Sequence, residues 1–421
     1  MSTTILFIGL IVFFAHFLSL QFRKTNIPDV LVLVIVGIVL GPILGFVSPA
    51  DFGKVGSLFA TIALVVILFE GGTTLDINVL SRSLATTGKL AIGCFALTGV
   101  LATLIGIYVL GLGILPATML GLTLGGTSPA VIIPLVKALR VSEKPATVMI
   151  LESALTDVLS IIGVFALLQV YTQGGLEPGK LIGSVMSAMV FAIVIGVLGG
   201  IGWLLVLGRV RDFPNTISST LAYVFIVYGA TEELGFSGAI AALALGFTLT
   251  NFAEFKLHRI PSIDRNIVPL NDIDLAFYSE AVFLLRTYFF VYLGISIHFS
   301  DLHLALAAAA IVLLIYLMRI VLTRMAFRDP GYSLRDTAIT SMMIPKGLAA
   351  AVLAALPLQY GVTGGEIIRD TTYMVVLISI ALTALLVMAY PSRMAQRFYS
   401  LTMGKQLPVQ TEPADATKEN A

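Results

Sequence analysis

The chain has 421 residues, 58% hydrophobic and only 12% charged, with 25 Lys and Arg against 24 Asp and Glu. Soluble domains carry about a quarter charged residues, so this composition cannot cover a water-facing surface and excludes a soluble enzyme or a disordered scaffold. A formal net charge of +1 leaves no basic field for a nucleic-acid backbone, and the single cysteine, Cys94, excludes an internal disulfide.

A bilayer-spanning helix needs roughly 20 apolar residues. Apolar runs predict helices at 3–22, 27–47, 57–75, 88–111, 115–137, 145–171, 180–208, 217–231, 236–252, 277–298, 303–324, 336–358 and 370–392. That is an all-α polytopic membrane protein of about 13 spans, an odd number that puts the termini on opposite sides. The first run has no basic start and no small-residue cleavage site, so it reads as a span rather than a signal peptide.

Charge supports the count. Only Lys54, Lys180 and Arg369 fall in connections on one side, and Arg286, Arg319 and Lys346 fall within spans. Every other Lys and Arg lies on the opposite side, with the C-terminus. By the positive-inside rule that side is cytoplasmic and the N-terminus is outside, as in a multi-pass cell-membrane protein. The polar residues 401–421 carry no periodic apolar face and read as a short disordered cytoplasmic tail.

Two spans are interrupted. The fifth contains Gly125, Gly126, Thr127, Ser128 and Pro129 at its middle, and the twelfth contains Pro345, Lys346 and Gly347. Pro removes a backbone donor and Gly weakens a helix, so both segments are expected to unwind. Non-helical backbone at membrane depth is tolerated only in a protein interior or cavity. An offset of seven spans between the breaks implies inverted six-helix repeats, 1–171 and 217–398, joined by a linker helix at 180–208 within a transmembrane domain of residues 1–400. Paired broken helices of this kind cross at a substrate site near the midplane.

Intramembrane carboxylates are costly and functional by default. At about 1.5 Å per residue, Asp157 lies about 18 Å into the sixth span, near the middle of the bilayer, with Glu152 nearer the cytoplasm. Ser153 and Asp157 share one helix face toward the fifth-span break; Glu152 and Thr156 flank it, about 100° away. Two carboxylates, several hydroxyls and freed carbonyls suit a hard cation such as Na⁺ or K⁺. Burial disfavours an ionised carboxylate, so Asp157 is able to hold a proton or a cation but not both. Glu70, in the third span, and Lys346, at the twelfth-span break, read as a structural ion pair at the midplane. Arg319 is placed to satisfy Glu152 or helix-end carbonyls, Arg286 to snorkel toward the cytoplasm, and His16 to pack rather than ligate. There is no Walker-type loop, so no nucleotide is expected and any transport is driven by gradients. No nucleophile–His–acid arrangement is apparent, and the chain does not read as an enzyme.

Taken together, LFEGGTTLDINVL, GGTSPAVIIPLVK, ESALTDVLS, SGAIAALALGFTLTN, FFVYLGISI and IPKGLAAAVLAALP resemble, in order and spacing, the motifs of the monovalent cation/proton antiporter superfamily, in particular its sodium/proton exchangers. The resemblance covers nearly the whole chain. It implies the sodium/proton antiporter fold, a homodimer in the lipid bilayer, an elevator-like motion, and no cofactor beyond the transported cation and proton. It implies Asp157 as the essential cation- and proton-binding carboxylate, with Glu152, Ser153 and Thr127 as neighbouring oxygen ligands. It also implies Glu70 with Lys346 as a bracing pair, and a basic role for Arg319. Many relatives have Asp where Ser128 stands, and Asn or Asp where Thr156 stands. A Thr before Asp157 leaves one ionisable group there and points to one-for-one, electroneutral exchange of Na⁺, Li⁺ or K⁺ for H⁺. A K⁺/H⁺ antiporter with the same site and a cation-coupled organic-anion symporter remain the alternatives.

Overall fold

A computed structural model of the chain describes residues 9–10, 13–17, 29–173, 178–210, 218–257, 263, 268–297, 301–328 and 331–404. Among them all regular secondary structure is helical. The helices are α1 (Asp29–Ile38), α2 (Pro49–Thr73), α3 (Ile77–Tyr108), α4 (Ile114–Thr123), α5 (Pro129–Ala138), α6 (Glu143–Gln173), α7 (Pro178–Val210) and α8 (Ser219–Glu233). They continue with α9 (Gly238–Thr250), α10 (Asp272–Ile295), α11 (Leu302–Ala326), α12 (Leu334–Met342), α13 (Leu348–Gln359), α14 (Gly365–Ala389) and α15 (Arg393–Met403). A π-helical turn, Val39–Ile43, continues α1 around Pro42, whose missing N–H favours the wider turn. Of the first predicted run, residues 9–10 and 13–17 are described, and they are helical.

Within α3, α6, α7, α11 and α14 lie segments long and apolar enough to cross a bilayer unaided. The two interrupted runs are instead paired half-helices. α4 and α5 have 10 residues each and are separated by 124–128; α12 and α13 have 9 and 12 and are separated by 343–347. Pro129 opens α5, a position where its missing N–H is not needed.

Other helix starts are set by short polar side chains. The Ser48 N–H and hydroxyl donate to Asp51 at 2.7 and 2.8 Å, with Pro49 at the first helical position of α2. Asn271 and Asp274 make the reciprocal pair at the start of α10.

The helices pack as two groups. In one, α9 lies on α2 and α7, and α10 lies on α1 and α2, around Phe69, Trp203, Leu245 and Tyr278. There α1 and α10 touch backbone to backbone: a Cβ at Gly37 would stand 2.9 Å from the Gly294 Cα, and the reverse also holds. In the other group, α3 packs on α4, α6 and α11, and α14 packs on α11 and α13. Asn251 ties the groups near one end. Its amide donates to the Leu75 carbonyl at 2.7 Å, and its oxygen accepts from the Ile77 N–H at 2.7 Å, where α3 begins.

The C-terminal boundary differs from the sequence expectation. Residues 401–403 belong to α15, which ends at Gly404 with φ +64°; the rest of the expected tail, 405–421, lies outside the described residues.

Candidate functional site

The site begins where helices stop. Residues 124–128 leave helical geometry between α4 and α5, as do 343–347 between α12 and α13. The two gaps cross: the Ser128 N–H donates to the Pro345 carbonyl at 2.8 Å. Glycine makes the crossing possible. A Cβ at Gly347 would fall onto the Ser128 side chain, and one at Gly126 would stand 2.6 Å from the Asp157 Oδ1.

α6 runs past this crossing and supplies the partners that unwound backbone needs. The Gly126 N–H donates to the Ser160 hydroxyl at 3.0 Å, and the Thr127 N–H to the Thr156 hydroxyl at 3.2 Å. The Thr156 hydroxyl in turn donates to the Glu152 carbonyl at 2.8 Å. Glu152, Thr156 and Ser160 form one i, i+4 row, so a single helix face carries both hydroxyls. Beside this row Asp157 is 4% exposed. The Thr127 and Ser128 hydroxyls are buried at the crossing and make no hydrogen bond, so their oxygens are open to a ligand. Ser153, one turn from Asp157, donates to the Ile150 carbonyl at 2.9 Å and keeps its lone pairs.

Lys346 is fully enclosed at the second gap. Its backbone N–H donates to the Ser379 hydroxyl at 2.9 Å, and its ammonium senses the charges of Arg319, Glu152 and Asp157. The expected Glu70–Lys346 pair is therefore a correction. Glu70 lies 3.9 Å from Lys137 at the end of α5 and also senses the charge of Arg286. The crossing of the gaps holds Lys346 against the middle of α6, whereas Glu70 sits one turn from the end of α2.

Glu152, which the sequence offered both as a neighbouring ligand and as a partner for Arg319, lies against Arg319. Arg319 grips it with two bonds, Nη1 to Oε1 at 2.5 Å and Nη2 to Oε2 at 2.7 Å. The same guanidinium donates from Nε to the Thr340 carbonyl in the last turn of α12 at 3.0 Å, and from Nη1 to the Cys94 sulfur at 3.4 Å. Both carboxylate oxygens are thus occupied in a pair sealed from solvent, a fork geometry in which each charge needs the other. Arg286 is buried, with its guanidinium 5.9 Å from the Phe283 ring.

Two cavities flank the crossing. One, of about 470 Å³, is lined by Glu70, Lys137, Arg286, His16 and Glu280 and reaches Pro129, the residue after Ser128. His16 lies 3.9 Å from Glu280 and packs its ring edge on Phe283. The other, also about 470 Å³, is lined by Gln169, Thr172, Glu232 and Tyr360 and reaches Ile161, one turn beyond Asp157 on α6. Because α5 and α6 run in opposite directions, the cavities open toward opposite ends of the helices, with Asp157 between them.

Ser160 and Ser379 are the site residues that sequence reasoning missed. Continuing the Glu152–Thr156 spacing by one step reaches Ser160, and Ser379 is an isolated hydroxyl in an apolar run.

Comparison with known proteins adds the following. Residues 9–388 match the family described as "Sodium/hydrogen exchanger, transmembrane". The chain is 26% identical over 437 residues to the K(+)/H(+) antiporter NhaP of Alkalimonas amylolytica, covering 100% of this chain and 71% of that protein. It is 25% identical over 370 residues to the probable Na(+)/H(+) antiporter 2 of Methanocaldococcus jannaschii, covering 82% and 85%. A solved structure of the sodium proton antiporter MjNhaP1 from the same organism superposes with a TM-score of 0.75 at 20% identity, covering 97% of this chain and 99% of that one.

Proposed function

Because this chain belongs to the sodium/hydrogen exchanger family, we propose that it exchanges one monovalent alkali cation for one proton across the membrane, with Asp157 holding each in turn. The observation that carries this reading is the buried Asp157 carboxylate at the crossed gaps, beside the unpartnered Thr127 and Ser128 hydroxyls. Those oxygens, with Ser153 one turn away, are the hard donors an alkali cation takes. A carboxylate in such a place is neutralised by a proton or by a cation, and the two compete for it.

Stoichiometry follows from how many charges change. Glu152 is committed to Arg319 and Thr156 cannot ionise, so one carboxylate takes part. If Lys346 keeps its proton throughout, each turnover moves one cation against one proton and carries no net charge. Release of a second proton from Lys346 on cation binding would instead make exchange electrogenic.

The two packing groups suggest the motion. The group of α3–α6 and α11–α14 carries Asp157 and both gaps, and an elevator-like shift against α1, α2 and α7–α10 would open one cavity and close the other. Inverted repeats, a homodimer and an outside N-terminus with a cytoplasmic C-terminus belong to the same proposal.

The test is exchange in proteoliposomes, following internal pH after addition of Na⁺, Li⁺ or K⁺ with the membrane potential free or clamped. Proton movement that follows the cation, ignores the clamp and persists in Lys346→Arg is the expected result. Relatives include both K(+)/H(+) and Na(+)/H(+) antiporters, and the effective ion in this assay names the substrate. No cation-driven proton movement would overturn the exchanger reading. A rate that responds to potential and loses that response in Lys346→Arg would overturn the one-for-one count alone.

A further inference from the structure

Away from the crossed gaps, the end of α11 carries an assembly separate from the candidate site. The exposed residues Leu313, Leu317, Val321 and Met325 recur every fourth position, forming one apolar stripe along the outer face of α11. The stripe ends at Arg324 and Arg328, where a cavity of about 440 Å³ opens between α11 and α15, lined also by Ile320, Val321, Met325 and Thr402.

α15 closes the other side, and its 11 residues fall into three sectors. Tyr399 and Met403 are buried against the bundle, with the Tyr399 and Tyr316 hydroxyls 2.6 Å apart. Met394 and Leu401 stand 82% and 80% exposed, with Phe398 beside them. Arg393 and Arg397 occupy the third sector. An 11-residue helix cannot span a bilayer, but apolar and basic sectors side by side suit one lying in the interface. Arg324 anchors it, donating from Nη1 to the Thr402 carbonyl in its last turn at 3.0 Å, a cation at the negative end of the helix.

Neither α11 nor α15 contains an acidic residue, and none of Arg324, Arg328, Arg393 and Arg397 pairs with a carboxylate among the described residues. We infer that this groove binds an anionic phospholipid, its phosphate between Arg324 and Arg328 and its acyl chains along the α11 stripe. Continuity of the cavity with the lipid-facing stripe selects a lipid over a soluble anion, and the four arginines select an anionic headgroup over a zwitterionic one. A lipid so held would bridge α11, α15 and the membrane surface on the arginine-rich side of the chain. The inference does not depend on the exchange reaction.

The test offers the full-length protein in detergent equal amounts of dioleoyl phosphatidylglycerol and phosphatidylcholine, with retention counted by native mass spectrometry. Phosphatidylglycerol should be retained preferentially, and each arginine removed should lower that preference about fivefold. Arg328→Gln is the decisive variant because it leaves the Arg324–Thr402 contact in place; Arg324→Gln/Arg328→Gln should bring retention near parity. A phosphatidylglycerol with a photoreactive acyl chain should label α11 between Leu313 and Met325. Equal preference in the parent and Arg328→Gln, labelling confined to other helices, or displacement by glycerol phosphate at equal concentration would each overturn the inference.

Discussion

Two buried carboxylates on α6 lie five residues apart, and their surroundings differ. Both oxygens of Glu152 are held by Arg319, which also reaches the end of α12 and so ties α6 to the α11–α12 region. Asp157 has an ammonium nearby, two unpartnered hydroxyls and a cavity toward each end. A carboxylate with every acceptor filled by a fixed cation is a brace. One whose neighbours leave acceptors unused is a place for an ion that comes and goes. Burial does not distinguish the two carboxylates here; completeness of coordination does.

The comparison breaks most sharply at Asp157. Asp157→Asn should abolish cation-driven proton movement while the protein still purifies and melts as the parent does. In the proposed exchange a single carboxylate is shared by both ions, so acidification should raise the apparent KM for the cation about tenfold per pH unit once Asp157 is largely protonated, the slope of one displaced proton. A slope of two decades would bring Lys346 into the exchange.

Glu152→Gln tests the brace. It strands the Arg319 charge in a sealed site, a loss of about 3–5 kcal/mol that should appear as a lower melting temperature in detergent. Replacing both partners, Glu152→Gln with Arg319→Met, should recover most of that loss, because no unpaired charge remains. If Glu152 were instead a cation ligand, the double variant would be stable and unable to exchange.

Much of this contrast was legible in the sequence, and its limits are instructive. Pro129, Pro345 and the glycines around them mark the gaps because they act on their own backbone. Depth along α6 follows from counting residues, so Asp157 stands out without tertiary information. What could not be read was direction. Arg319 is 167 residues from Glu152, and whether it faces Glu152, a carbonyl or both depends on how α11 crosses α6. It faces both. Lys346 and Glu70 are near the midplane by count, yet they face different neighbours because the Ser128–Pro345 crossing turns Lys346 toward α6. Ser160 was within reach of spacing alone, one step along a row already noted.

Smaller effects sharpen the comparison further. Ser128→Ala removes a buried hydroxyl that bonds nothing in the protein, so stability should hold or rise slightly. If that hydroxyl meets the cation in the ground state, the apparent KM should rise several-fold with the maximal rate little changed. Smallest of all is Lys137→Ala. Lys137 is 60% exposed and 3.9 Å from Glu70, a contact worth about 0–1 kcal/mol and weakened by salt. Exchange should shift modestly at low ionic strength and hardly at all at high.

The most direct measurement counts protons released when a cation binds. Purified protein in a weakly buffered detergent solution would be mixed with Na⁺ or K⁺ and the release read with a pH dye. One proton per chain from the parent and from the Glu152→Gln/Arg319→Met variant, and none from Asp157→Asn, is the result this account predicts. Release that survives in Asp157→Asn, or that disappears when the Glu152–Arg319 pair is replaced, would contradict it.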